Sequence, residues 1–379
     1  MKGAAESVKN QLLQPFAAMV LATVAPATMA YGINDNFSIG GVLAAAEQCQ
    51  NLNSASEGVD NECKGGMSLQ LEMSLRPDDR NELYLKLGFG IDHTLNEISP
   101  WNLAPWAADL ESDVLNINGL SRNYLMAAWY KHTVTFENEN ALSASIGILD
   151  STDYLDSNVY SNDEYTQFMN QIFVNNGSYG LPSYDAGAAL EWKSGSWSVN
   201  ALGINVGEND DGNNYNFWGA QAAYQADSSL GVGNYRVILV GTSSNFLDPS
   251  GTNEEDRLAW GFSLDQAFGD VVGAFLRVAW QSDDAAIDYK ALYSGGLDFN
   301  GNGWGRETDN IGVGYAYLPG GNIDLNSSQI FEIYYRYSLI KNVGITADVQ
   351  YMKDNYSNSE IFNDDTAGWV FGLRLTAEF

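Results

Sequence analysis

The chain has 379 residues, with 18 Lys and Arg against 48 Asp and Glu and a formal net charge of −30. So acidic a balance excludes a nucleic-acid-binding role, because no basic face exists to neutralise phosphates. With 38 Gly, 21 Tyr and only 8 Pro, the composition suits many tight-turned strands better than helices, and the length allows one large barrel or two ordinary globular domains.

Residues 1–30 read as an export leader. Lys2 and Lys9 supply a positive start, Phe16 to Ala25 an apolar middle, and Thr28-Met29-Ala30 a small-residue cleavage site. Glu6 is an unusual acid in such a segment. The apolar stretch is shorter than the roughly 20 residues that a spanning helix needs, and no other run is long enough. Residues 31–379 are expected to form one domain.

Beyond the leader the dominant pattern is alternation. Met67, Leu69, Leu71, Met73 and Leu75 alternate with Ser68, Gln70, Glu72, Ser74 and Arg76; after a turn, Leu83, Leu85, Leu87 and Phe89 alternate with Tyr84, Lys86, Gly88 and Gly90. The pattern recurs to the end, where Trp369, Phe371, Leu373, Leu375, Ala377 and Phe379 oppose Gly372, Arg374, Thr376 and Glu378. Sixteen strands are predicted, at 37–47, 67–76, 82–91, 122–133, 141–150, 185–193, 196–206, 216–226, 231–242, 257–266, 271–281, 285–295, 310–317, 329–340, 343–353 and 368–379. Two of them fit poorly: 196–206 loses its phase midway and 122–133 has mixed faces, and a bulge would explain either. The turn 298–309, rich in glycine, is long for its place in the chain.

A soluble β-sandwich also alternates, but three features favour a transmembrane antiparallel β-barrel. Many runs are about 9–12 residues, the length of a tilted spanning strand. Trp192, Trp218, Tyr224, Trp260, Trp280, Tyr351 and Trp369 cluster at run ends on the apolar face, as interfacial girdles do. Charges sit mid-run on the other face, among them Arg277, Asp288, Lys290, Glu332, Arg336 and Asp348, where a barrel has a wet lumen. The strand number is even, and closure removes every edge. Long outer loops are expected at 48–66, 92–121, 151–184 and 354–367. Cys49 and Cys63 fall in the first of these, and in an exported protein they are expected to close it as a disulfide.

Conventional active-site chemistry finds little support. His93 and His132 lie far apart in the strand map, and neither sits in a serine-centred nucleophile motif. Carboxylate pairs such as Asp210 and Asp211 are adjacent in acidic loops, which says nothing of a cleft. The loop 207–213 lacks the spacing of a calcium loop, two thiols without a nearby histidine make no zinc site, and Gly301–Gly305 is no phosphate loop. No enzyme activity, metal or cofactor is expected. What remains is pore chemistry. A sugar offers hydroxyls to charged and amide groups and flat C–H faces to aromatic rings. Loop 151–184 carries Asn158, Tyr160, Asn162, Asp163, Glu164 and Tyr165, and loop 92–121 carries Trp101, Trp106 and Asp109. Glu332, Arg336, Asp348 and Arg374 are expected to complete a constriction from the wall.

Four blocks carry a resemblance: Tyr160-Ser161-Asn162-Asp163-Glu164-Tyr165-Thr166-Gln167-Phe168-Met169-Asn170 followed by Val174-Asn175-Asn176; Trp304-Gly305-Arg306 with Asp309 to Ala316; Phe331 to Tyr337; and Phe371 to Phe379. In order and length these are similar to the carbohydrate-selective porin family, the OprB type, from about 123 to 379. The resemblance implies a sixteen-stranded outer-membrane porin of a Gram-negative bacterium, with inward loops narrowing a glucose- or oligosaccharide-permeable channel. Sugars would be the permeating solutes, outer-membrane lipids and lipopolysaccharide the surroundings. Phe379, ending an aromatic final strand, resembles the signal that barrel-assembly machinery reads. Alternatives are a general or cation-preferring porin, a channel for a chelated metal or organic acid, and a secreted sugar-binding β-sandwich. The sequence leaves monomer and trimer open.

Overall fold

In a computed structural model of the chain, residues 31–379 are described except 57, 138–139 and 358–364. The leader expected over 1–30 lies outside the described residues, as does most of the acidic loop at 354–367. Sixteen extended segments pair edge to edge until the last meets the first. They are β1 (Phe37–Ser54), β2 (Cys63–Asp78), β3 (Asn81–Ile91), β4 (Leu125–Thr135), β5 (Ala141–Leu149), β6 (Asp185–Ser194), β7 (Trp197–Val206) and β8 (Tyr215–Ser228), then β9 (Gly231–Thr242), β10 (Leu258–Phe268), β11 (Val272–Gln281), β12 (Ala291–Asn300), β13 (Asn310–Pro319), β14 (Leu325–Ile340), β15 (Val343–Tyr356) and β16 (Thr366–Glu378). Every strand is antiparallel to its neighbours in sequence, and β16 closes on β1 with Glu378 opposite Val42. Phe379 seals the seam: its N–H donates to the Gly41 carbonyl at 3.0 Å, and its carbonyl accepts from the Gly41 N–H at 2.8 Å. A short strand, Tyr31–Asn34, folds back on the start of β1, and Phe246–Leu247 pairs with Glu254–Glu255 in a separate small hairpin.

The two faces are sorted opposite to a soluble protein. Ser68, Gln70, Arg277, Glu332 and Gln350 point inward and are buried, whereas Leu190, Trp218, Leu276 and Leu373 stand exposed on the outside. An apolar outer face is stable only against lipid, and a closed ladder leaves no unpaired edge there. The closed ring is incompatible with a two-sheet sandwich.

Connections alternate in length. At one end β6 turns into β7 through two residues, with Gly195 at φ +56° supplying the positive dihedral that such a turn needs. At the other end long segments, 92–124 and 150–184, fold back into the barrel.

Three expectations need adjustment, and a fourth holds. The cysteines are not in a loop: β1 and β2 extend far beyond 47 and 67, and the disulfide-bonded Cys49 and Cys63 are direct partners across the ladder. The twelfth strand lies at 291–300 rather than 285–295. Ala285, Ile287 and Tyr289 are buried while Asp288 and Lys290 are exposed, so alternation there marks an extended connection over a core. Strand β7 carries no bulge, because its register with both neighbours is unbroken. Its phase shifts because Leu202, Ile204 and Val206 face inward onto a folded loop instead of water. Strand β4 does carry an irregularity, where Lys86 pairs with Ala127 but Leu87 with Leu125, and this accounts for its mixed faces.

Candidate permeation site

The lumen is largely filled, and the filling begins in the sequence of 150–184. Tyr154, Leu155, Phe168, Ile172 and Phe173 are buried together with Leu95, Trp101 and Leu103 from 92–124 and with inward wall residues such as Ile238, Val240 and Phe275. Each large side chain removed from water contributes roughly 1.5–3 kcal/mol, so this apolar plug is strongly held. Two wall glycines admit it. A Cβ on Gly273 would lie 2.3 Å from the Tyr160 ring, and one on Gly314 would lie 2.8 Å from that of Phe173.

Charged side chains of the wall then pin the loop backbone. Arg277 on β11 donates to Asp156 Oδ1 at 2.9 Å, to Ser161 Oγ at 2.9 Å and to the Phe173 carbonyl at 3.0 Å. Glu332 on β14 accepts from the N–H groups of Met169 (2.5 Å) and Asn170 (3.0 Å). Arg374 on β16 donates to the carbonyls of Glu164 (2.5 Å) and Gln167 (2.9 Å). The two inward loops are also stitched to each other: the Trp106 indole N–H donates to the Glu164 carbonyl at 2.9 Å, and Ala107 N–H to the Met169 carbonyl at 2.9 Å. A charged or polar group buried inside a barrel costs desolvation unless its hydrogen bonds are met; backbone and side chains of the loop meet most of them here, with Arg374 Nε left over.

What the plug leaves open lies to one side. A cavity of about 110 Å³, the candidate constriction, is bounded by β1–β3, β16 and both loops. A wider cavity of about 290 Å³, the candidate vestibule, lies between 96–118 and 171–184, and shares Ala107, Asp109, Asn175, Ser183 and Tyr184 with it. Glu72, Asp109, Asp150, Asp153, Asp163, Glu164 and Glu378 line the constriction; among its described lining residues Lys86 is the one basic side chain. Glu72 and Lys86 face each other as ladder partners on β2 and β3. Asp109 Oδ2 accepts from Gln70 Nε2 at 2.7 Å and from the Tyr184 hydroxyl at 2.9 Å, and Lys86 Nζ lies 3.4 Å from that hydroxyl and 5.4 Å from the ring centre. Burial pushes the loop carboxyls up, Asp109 to about 7 against the pull of Lys86, Asp153 to about 7 with help from Asp150, and Glu164 to about 8 with help from Asp163.

The residues expected at the constriction separate into four groups. Asn162, Asp163 and Glu164 line it, and Trp106 lines the vestibule although its side chain is fully buried. Asp163 is also a turn organiser, its Oδ1 accepting from the N–H groups of Tyr165 (2.8 Å) and Thr166 (3.2 Å). Glu332, Asp348 and Arg374 are buried in the loop anchorage. Asn158 is buried against β10, donating to Ser263 Oγ at 3.3 Å and the Leu264 carbonyl at 3.1 Å, and Tyr160 rests on Gly273. Arg336 pairs with Glu378 at 3.0 Å, touching the constriction only through that partner. Sequence reasoning passed over Glu72, Lys86, Asp150, Asp153 and Tyr184. The signal for two of them was present, since opposite charges mid-strand on the polar faces of consecutive strands are natural cross-strand partners. Outside this region, His93 lies 3.3 Å from Ser112 Oγ and 3.1 Å from Glu97. All three are on the segment 92–124, and they tie it together.

The chain has clear relatives. The sequence profile of the family described as carbohydrate-selective porin, OprB family, matches residues 108–379. An uncharacterized protein of Aquifex aeolicus is 31% identical over 297 residues, spanning 78% of this chain and 81% of that protein. Among solved structures, the high-pH structure of Pseudomonas putida OprB superposes with a TM-score of 0.68 at 14% identity, covering 91% of this chain and 94% of that one. OmpT of Vibrio cholerae superposes with a TM-score of 0.54 at 13% identity, over 91% and 99% of the respective chains. At such identities these likenesses concern the fold.

Proposed function

Since the chain belongs to the carbohydrate-selective porins of the OprB family, we propose that it is an outer-membrane diffusion porin for mono- and oligosaccharides, with its selective step at the eccentric constriction. The observation that carries this reading is the pairing of a fixed plug with a small polar passage. An open lumen would sieve by size alone, whereas a passage lined by carboxylates, amides, one ammonium and a tyrosine can exchange hydrogen bonds with hydroxyls as a sugar sheds water. Asn162, Asp163 and Glu164 would serve from loop 150–184, and Gln70, Glu72, Lys86 and Asp109 from the opposite side. Binding there must stay weak, because a tightly held solute blocks its own pathway; millimolar affinity, about −4 kcal/mol, suits transport.

The same proposal includes export through the leader at 1–30, insertion by barrel-assembly machinery with Phe379 as its signal, and contact with lipid and lipopolysaccharide through the apolar outer face. Catalysis has no part in it. The test is single-channel recording of the purified barrel with a panel of sugars. Concentration-dependent current block by glucose or a short oligosaccharide, weakened in Asp163→Ala, is expected; permeation ordered only by solute size would sink the sugar-selective reading. A second reading, a cation-preferring general porin, is favoured by one observation, the seven acids to one base at the constriction. It would give a cation-selective reversal potential with no sugar block.

A further inference from the structure

The sequence places three arginines in the lumen, where they would balance its acids, but none of them lines the passage. Arg277 and Arg374 are fully buried and engaged with loop carbonyls and with Asp156. Arg336 is occupied by Glu378. The vestibule leading inward carries Asp109 and Asp113 and no basic residue among its described lining. Among the described residues that line the vestibule and the constriction, Lys86 is therefore the one side chain of positive charge.

That side chain is held in a definite place. It rises from the middle of β3, where the ladder sets Glu72 across from it. Its ammonium sits over the Tyr184 ring and beside the Tyr184 hydroxyl, which in turn donates to Asp109. A cation over an aromatic face and between carboxylates is stabilised in that position. The arrangement also shows that these carboxylates accommodate an alkylammonium group, in this case the chain's own. A solute carrying another ammonium would meet the remaining acids favourably, and an anionic solute would find only one partner among them.

Resting on the porin reading above, we propose that Lys86 sets the charge selectivity of the constriction, and that the passage favours amino sugars and neutral sugars over uronates and sugar phosphates. Removing the lysine charge deepens the bias, because the neighbouring cations are already held by acids, Lys131 by Glu191 and Arg336 by Glu378. The effect of one unit charge at contact distance in water is about threefold or more in relative rate, and it shrinks as salt screens it.

The experiment uses the full-length processed barrel in liposomes at low salt, with glucose, glucosamine and glucuronate as solutes at pH 7. The parent is expected to pass glucosamine faster than glucuronate. Lys86→Gln is expected to raise the glucosamine-to-glucuronate ratio by about threefold or more, and Lys86→Arg to restore the parent ratio. A ratio unchanged in Lys86→Gln overturns the proposal. Should that variant not insert, the parent still decides: equal or faster passage of glucuronate overturns it. Failure of the parent to pass glucose at all would instead defeat the sugar-porin reading on which it rests.

Discussion

Arg277 and Asp156 face each other inside the barrel with Nε and Oδ1 2.9 Å apart, and their side chains are 0% and 2% exposed. One belongs to the wall and the other to the plug, so this pair ties a strand of the sheet to a loop 121 residues away in sequence. Around it the guanidinium reaches the Ser161 and Phe173 carbonyls as well. The plug is thus bound at its polar ends and filled by apolar side chains between them.

Arg277→Met should loosen that attachment. Removing one partner of a buried pair leaves an uncompensated charge and costs about 3–5 kcal/mol. Asp156→Asn in the same background should recover part of the loss, since it removes the stranded carboxylate. Thermal unfolding in detergent measures the stability change. Single-channel recordings should show larger and noisier conductance in Arg277→Met, and a quiet parental trace would contradict the anchoring role.

Channel selectivity should respond to pH with a defined sign. Asp109, Asp153 and Glu164 have carboxyls pushed up to about 7, 7 and 8 by burial. Glu72, Lys86, Asp113, Lys131, Asp150 and Asp163 face them from the surrounding strands and loops. Raising pH from 5 to 9 adds negative charge, so the reversal potential in a KCl gradient should move toward greater cation preference. Stability runs the other way. A carboxyl whose value rises on folding contributes most below its ordinary value, near 4, and the contribution is lost as pH climbs toward 7–8. Melting temperatures that rise over that interval would count against buried, crowded carboxyls.

The disulfide should matter modestly. Because Cys49 and Cys63 are already held opposite each other by the β1–β2 ladder, opening the bond frees less chain than a bond closing a flexible loop. A loop of this length is worth about 3 kcal/mol at most. Cys49→Ser with Cys63→Ser should therefore lower thermal stability by less than that and leave single-channel conductance at the parental value. A variant with altered conductance would place the bond in the pore's architecture.

Deleting Phe379 should impair assembly. The residue exchanges two backbone hydrogen bonds with Gly41 at the seam where β16 meets β1, and its ring packs over the same glycine. Quantifying heat-modifiable barrel in outer-membrane fractions tests this, with a sharp loss expected. Phe379→Ala separates the two contributions, since it keeps the backbone bonds and removes the aromatic ring. Wild-type yield from both variants would rule out a role for the terminal residue.

The period-two pattern determined the strands, and run length, terminal aromatics and mid-run charges together turned it into a barrel. Residues such as Leu69, Leu71 and Leu373 report lipid on one side, Gln70, Glu72 and Arg374 report a polar lumen on the other, and a pairing register follows once both faces are fixed. Sixteen strands were therefore legible, whereas the inward course of the loops was implied by the family resemblance and not by their run of Tyr, Asn and Asp. Where the pattern misled, at 196–206 and 285–295, the inner surface met protein instead of water, and alternation cannot distinguish these. Only the tertiary structure decided which polar groups are free to meet a solute. Arg374, Glu332 and Asn158 look like pore-lining residues in sequence, but a loop crossing the lumen brings backbone donors and acceptors that no strand satisfies, and it takes these side chains to satisfy them. Lys86 and Glu72 remain at the passage because the same loop leaves their side of the barrel unfilled. That division depends on contacts between residues far apart in the chain, such as Lys86 with Tyr184, 98 positions away, and Gln70 with Tyr165, 95 positions away, and local spacing carries no record of them.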